Sequence, residues 1–215
     1  MEQAFHIFAY LDNIDKSNIV FDLSNPEIPE SCFVKADWKE FYLYAVEPIS
    51  PNAPEAQVNV AQLHFIVDAN HANSKVMIIY HTRILILLNR APIMWYSKNK
   101  NMIEKWSFGS KCFAIKEAAE MIRSLIYKPW MFGIPMDGTT DVFYDNQSIL
   151  NSYQMPTSIL NKKNLAICYQ LVREFCAVGV TRVAWGSGRT NLAGVLTKLL
   201  PASKKREICG KFIRR

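Results

Sequence analysis

Asp68 and Asp145 are the carboxylates in this chain whose setting invites chemistry. Each ends an apolar, β-forming run, Leu63-His64-Phe65-Ile66-Val67-Asp68 and Asp141-Val142-Phe143-Tyr144-Asp145, and each is followed by polar residues. Such a pattern reads as a strand opening into a loop, and after Asp145 into a helix from Gln147. The carboxyl ends of strands are where α/β proteins gather ligands and reactive groups. Two aspartates on strands of one sheet are placed to hold a divalent metal through oxygen. Taken singly, either reads as no more than a strand-terminating residue. His71, three residues after Asp68, lacks a second His or Cys nearby and reads as polar surface. Ser107 and Ser110 read as helix caps, since no His partner marks them as nucleophiles. Lys98, Lys100, Lys162 and Lys163 are candidates to follow a phosphate backbone, and equally solvated lysines. Trp95, Tyr96 and Trp106 are candidates to stack on bases, and equally core aromatics.

The chain has 215 residues, half of them hydrophobic, enough for one full domain and an appendage. No signal peptide is visible, and the longest apolar region, 76–96, is broken by His81, Arg83, Asn89 and Arg90, so no membrane span is expected. The expected location is intracellular, cytoplasmic or nuclear. Five cysteines without a C-x-x-C spacing argue for reduced thiols rather than zinc or disulfides. Residues 1–70 carry 3 Lys/Arg against 11 Asp/Glu, whereas 71–215 carry 22 against 8. That asymmetry suggests a polyanionic partner for the second part, nucleic acid first.

The elements that must position these residues follow from periodicity. Pro48, Pro51 and Pro54 mark 47–60 as a linker, which sets an N-terminal appendage over 1–60, a main domain over 61–201 and a basic tail over 202–215. Strands are expected at 63–69, 84–89 and 92–98, the last two joined by a turn at Asn89-Arg90-Ala91-Pro92. The segment 76–80 either extends the second strand or pairs separately. Phe108, Cys112, Ile115, Ala119, Ile122 and Ile126 form one helical stripe. A strand at 140–145, a short helix from Gln147, a helix over about 160–178 closed by Gly179, a strand at 180–185 and a helix from about Thr190 to Leu200 stopped by Pro201 complete the order. The fold class is α/β, a mixed sheet with helices packed against it.

In this order, Val67-Asp68-Ala69, Ala91-Pro92-Ile93-Met94-Trp95-Tyr96-Ser97-Lys98, Asp145-Asn146-Gln147-Ser148, Arg173-Glu174 and Asn191-Leu192-Ala193 with Thr197-Lys198 resemble the ribonuclease H domain that ends copia-type retrotransposon Pol polyproteins. The resemblance covers about 63–201, and the acidic first part looks like the tail of the preceding reverse transcriptase segment. It implies a ribonuclease H-like, five-stranded mixed sheet and Mg²⁺- or Mn²⁺-dependent hydrolysis of RNA in RNA–DNA hybrids. Lys98, Asn146, Lys162 and Lys163 are the candidate nucleic-acid contacts, and the resemblance implies an upstream reverse transcriptase segment as partner.

Of the four acids the family supplies, Asp68 and Asp145 are retained, but Lys111 stands where the family has Glu in Gly-Ser-Glu, and Gly194 where it has Asp. A family stretch rich in Arg, Ser and Thr is replaced by Met77-Ile78-Ile79-Tyr80-His81-Thr82-Arg83. The expectation is a ribonuclease H with a degenerate, impaired metal site. The alternatives are an active enzyme recruiting Glu104 or Glu117, or a non-catalytic nucleic-acid-binding or interaction protein. No Tyr-x-Asp-Asp motif is present, so no polymerase activity is expected from this chain.

Overall fold

A computed structural model describes residues 18–33, 36–43, 52, 54–70, 80–100, 107–136, 138–157, 165–188, 191–196 and 201–214. In chain order the elements are β1 (Asn18–Ile19), a 3₁₀ turn (Glu30–Cys32), α1 (Lys39–Tyr42), β2 (Leu63–Asn70), β3 (Tyr80–Leu88), β4 (Ala91–Lys100), α2 (Ser107–Met131), β5 (Thr140–Tyr144), α3 (Gln147–Gln154), α4 (Ala166–Ala177), β6 (Thr181–Trp185), a second 3₁₀ turn (Leu192–Leu196), α5 (Ala202–Cys209) and β7 (Ile213–Arg214).

Five strands form one mixed sheet in the order β4-β3-β2-β5-β6. The β2–β3–β4 half is antiparallel, and β5 and β6 add in parallel to β2. The expected five-stranded mixed sheet flanked by helices is therefore present. Two-residue alternation decides what each strand buries. Leu63, Phe65, Val67 and Ala69 of β2 join Ile84, Ile86, Val142, Tyr144 and Val183 in the main core, together with the α2 stripe Cys112, Ile115, Ala119 and Ile122. His64, Ile66 and Asp68 face the other way, over a smaller cluster of Leu85, Leu87 and Ala193 with Leu192 and Phe212 packed on it.

The β3–β4 turn centres on Asn89, whose φ of 55° is left-handed backbone that Asn tolerates better than most residues. Its side chain is also a tie point: Oδ1 accepts from Gln62 N at 2.8 Å and Nδ2 donates to Leu23 O at 2.7 Å. Gly179, with φ 76°, closes α4 as expected. Residues 158–164 lie outside the described set, so the expected start of that helix near 160 does too.

The C-terminal part departs from the expected helix 190–200. Asn191 Oδ1 accepts from Ala193 N at 2.9 Å and opens a 3₁₀ turn over Leu192–Leu196, while 189–190 and 197–200 lie outside the described set. Pro201 is the N-cap of a further helix. Its φ of −55° is preset for a helix start, and α5 follows at once. After α5, β7 pairs antiparallel with β1.

Residues 18–33 run across the carboxyl-distant end of the parallel strands and along the β6 edge. Val20 N donates to Phe212 O at 2.8 Å, and Phe33 bridges Ala184. Further on, Tyr42 donates to Gln170 of α4 at 3.1 Å, and Gln57 N donates to Gly133 O at 2.9 Å beyond the end of α2.

Candidate active site

β2 and β5 are parallel neighbours with Ile66 paired to Phe143, and the same register carried two residues on sets Asp68 level with Asp145. Both aspartates fall on the sheet face away from the main core. Tyr144, the last residue of β5, points into that core, where its hydroxyl donates to Lys111 O at 3.3 Å. This bond pins the first turns of α2 to the end of β5. Burial pushes the Tyr144 phenol well up, and the Asp145 and Asp68 carboxylates add to the rise, so it stays neutral.

Each aspartate faces a side-chain cation. Asp68 Oδ2 lies 2.7 Å from Arg83 Nη1, with only 2% and 1% of the side chains exposed. The two are directly opposite in the β2–β3 ladder. Asp145 Oδ1 stands 3.8 Å from Lys111 Nζ, a partly open pair. That separation exceeds hydrogen-bond reach, and among the described residues this buried oxygen accepts no hydrogen bond. Opposite Asp145 the chain passes close by: a Cβ at Gly188 would stand 3.0 Å from Asp145 Oδ2.

Gly194 lies in the 3₁₀ turn held to β2 by Asn191, whose Nδ2 donates to Val67 O at 2.9 Å beside Asp68. The turn thus reaches the same strand end, without an acid. A cleft of about 220 Å³, lined by Ile66, Phe143, Gly186, Ser187, Asn191, Leu192 and Lys211, opens on this face one side-chain step below the two aspartates.

The other sequence candidates distribute differently. Asn146 caps α3, its Oδ1 accepting from Ile149 N at 3.1 Å. Lys98 is exposed on β4 in register with Thr82, which pairs with Ala69, so the pleat turns it to the face opposite Asp68. Glu117 accepts from the Tyr96 hydroxyl at 2.7 Å, binding α2 to β4, and burial together with this carboxylate raises the Tyr96 phenol. Trp95 is exposed, and Ser110 is buried. His71, Glu104, Trp106, Lys162 and Lys163 lie outside the described residues, as do the side chains of Lys100 and Ser107.

Arg83 escaped notice as the partner of Asp68. Its signal was present: an arginine sharing the two-residue phase of Leu85 and Leu87 inside an apolar strand must find an acid when that face is covered. A second buried polar group, at the opposite end of the strands, was also missed. His64 Nδ1 lies 3.1 Å from Asp141 Oδ2, and Arg182 bonds both Asp141 and Glu30, the latter at 2.7 Å. The Arg182 guanidinium stacks 3.9 Å from the Phe33 ring centroid. Burial alone would lower its pKa, but the bonds to Asp141 and Glu30 outweigh this and raise it.

The residues around Asp68 and Asp145 do not fit a divalent cation. Two carboxylates balanced by a guanidinium and an ammonium leave no net negative charge, and Oδ2 of Asp68 already serves Arg83. Among the described residues no group of three or more His, Cys, Asp or Glu converges on a metal position, and no helix is long and apolar enough to cross a membrane.

No family model and no curated protein matches the chain. Among solved structures it is similar to RNase H1 from the halophilic archaeon Halobacterium salinarum, with 12% identity, a TM-score of 0.45 and coverage of 63% of this chain and 91% of that one. It is also similar to the N-terminal RNase H domain of a Mycobacterium tuberculosis protein, with 6% identity, a TM-score of 0.48 and coverage of 70% and 97%. A third, an RNase H1 isolated from compost, has 11% identity, a TM-score of 0.41 and coverage of 72% and 94%. These likenesses assign no residue a role.

Proposed function

We propose that this chain is the ribonuclease H-like part of a copia-type retrotransposon Pol protein, binding nucleic acid weakly and no longer able to cut the RNA of an RNA–DNA hybrid. The observation that carries the reading is the Lys111 ammonium 3.8 Å from Asp145, in the first turns of α2, where the resembled family has an acid. Phosphodiester hydrolysis by paired metal ions needs carboxylates that bridge the ions, one activating water and the other steadying the leaving oxygen. An ammonium there repels the ions it replaces a ligand for. At an effective dielectric near 20, one unit charge at ~4 Å is worth roughly 4 kcal/mol. The partner implied is an RNA–DNA hybrid, with residues 1–60 as the tail of an upstream reverse transcriptase segment and an intracellular setting.

Recruitment of Glu117 as a substitute ligand is disfavoured, because its carboxylate is engaged with Tyr96. The proposal is tested with a labelled hybrid at low salt. Retention that weakens steeply as salt rises, with the RNA strand intact, is the expected result. No retention at low salt would remove nucleic acid as the partner.

A further inference from the structure

We infer that Arg83 is a separate lock on the carboxylate centre, a side-chain cation that keeps divalent metal from Asp68 even when the two missing acids are restored. This rests on the ribonuclease H-like reading and adds a residue that the resemblance does not bring. Asp68 and Arg83 are cross-strand neighbours, 2.7 Å apart and almost fully buried. The guanidinium cannot lose its proton, and its charge-assisted bond to a carboxylate is short and strong. Asp68 would hold a metal ion through its carboxylate oxygens, and the guanidinium already engages Oδ2 and offsets the charge that would attract the ion.

Nor can the arginine easily leave. Its Nε is already buried without a hydrogen bond among the described residues, so Asp68 is what compensates its charge. A metal that took Asp68 would strand a buried guanidinium. Lys111 is different: its side chain is 22% exposed, and a flexible stem lets the ammonium swing to solvent. Of the two cations Arg83 is therefore the firmer. Restoring acids at Lys111 and Gly194 still leaves the buried carboxylate of Asp68 occupied by Arg83.

The test compares Tm in EDTA and in Mn²⁺ for the natural chain, for Lys111→Glu with Gly194→Asp, and for these two changes with Arg83→Met. The expected result is no shift in the first two. The triple variant should shift upward, on the order of 5–10 °C at about a hundred times Kd. A double variant that shifts as far as the triple, a shift in the natural chain, or a folded triple without a shift each overturns the inference. A cycle of Asp68→Asn and Arg83→Met guards against variants that fail to fold. Each single change should lower Tm, and the pair should recover most of the loss, whereas simple additivity contradicts the lock. If the triple variant takes up Mn²⁺ but leaves a hybrid uncut, the lock stands and the ribonuclease reading fails.

Discussion

Arg83 and Lys111 both sit against an aspartate, and their burial makes them opposite cases. Replacing Arg83 by Met leaves the Asp68 carboxyl, 2% exposed, without its guanidinium. Breaking a buried pair in this way costs about 3–5 kcal/mol, readable as a lower urea midpoint at unchanged slope. Lys111→Met removes a partly open pair whose charged atoms stand 3.8 Å apart, beyond hydrogen-bond reach. That change should move stability by less than about 1 kcal/mol, with the same measurement. Cys176 gives a pH signature. Burial pushes its thiol up to about 11 from 9.0, the Thr181 hydrogen bond and Arg173 charge only partly offsetting this. As pH rises the unfolded chain ionises first. The stability from this group is complete below pH 9 and is lost towards about pH 11. Buried Tyr144 and Tyr153, both raised well above 10.0, act in the same direction at higher pH. Denaturant midpoints across that window should fall, and Cys176→Ala should flatten the first part of the fall.

At the scale of elements, a strong period told most of the story and a special contact told the rest. The stripe Cys112, Ile115, Ala119, Ile122 and Ile126 was legible because each member is buried, and burial is what a helical period records. Ile122→Ala should accordingly cost about 2–5 kcal/mol by equilibrium unfolding, since Ile122 is fully buried in the main core. The two aspartates were legible as strand ends, and parallel pairing of β2 with β5 set them level. The pair Asp68–Arg83 was not, because it depends on the β2–β3 register, and no two-residue turn signal marks that connection. In the described part of the helix expected over 190–200, residues 191–196, a 3₁₀ turn stands instead, and α5 follows Pro201. Two local effects prevailed over the apolar spacing: the Asn191 side chain bonding Ala193 N, and a proline that starts a helix as readily as it stops one.

Across the whole molecule, the charge asymmetry between the first and second parts is partly met by contacts within the chain. Glu30 pairs with Arg182 at 2.7 Å and Asp22 lies 3.7 Å from Arg90. The acidic early segment thus pairs with basic groups of the main sheet, which lowers the net charge left for a polyanion. Arg182 is the joint of this arrangement, bonding buried Asp141 on one side and Glu30 on the other. Arg182→Met should release residues 18–33 to limited proteolysis before the main core unfolds, and cleavage at the natural rate would speak against this role.

The most direct measurement of the central claim is cleavage of a labelled RNA–DNA hybrid by the natural chain in Mg²⁺ and in Mn²⁺, beside Asp145→Asn. A centre in which Lys111 and Arg83 neutralise Asp145 and Asp68 should leave the RNA intact in both metals, with no difference between the two proteins. RNA cut by the natural chain and spared by Asp145→Asn would contradict the account.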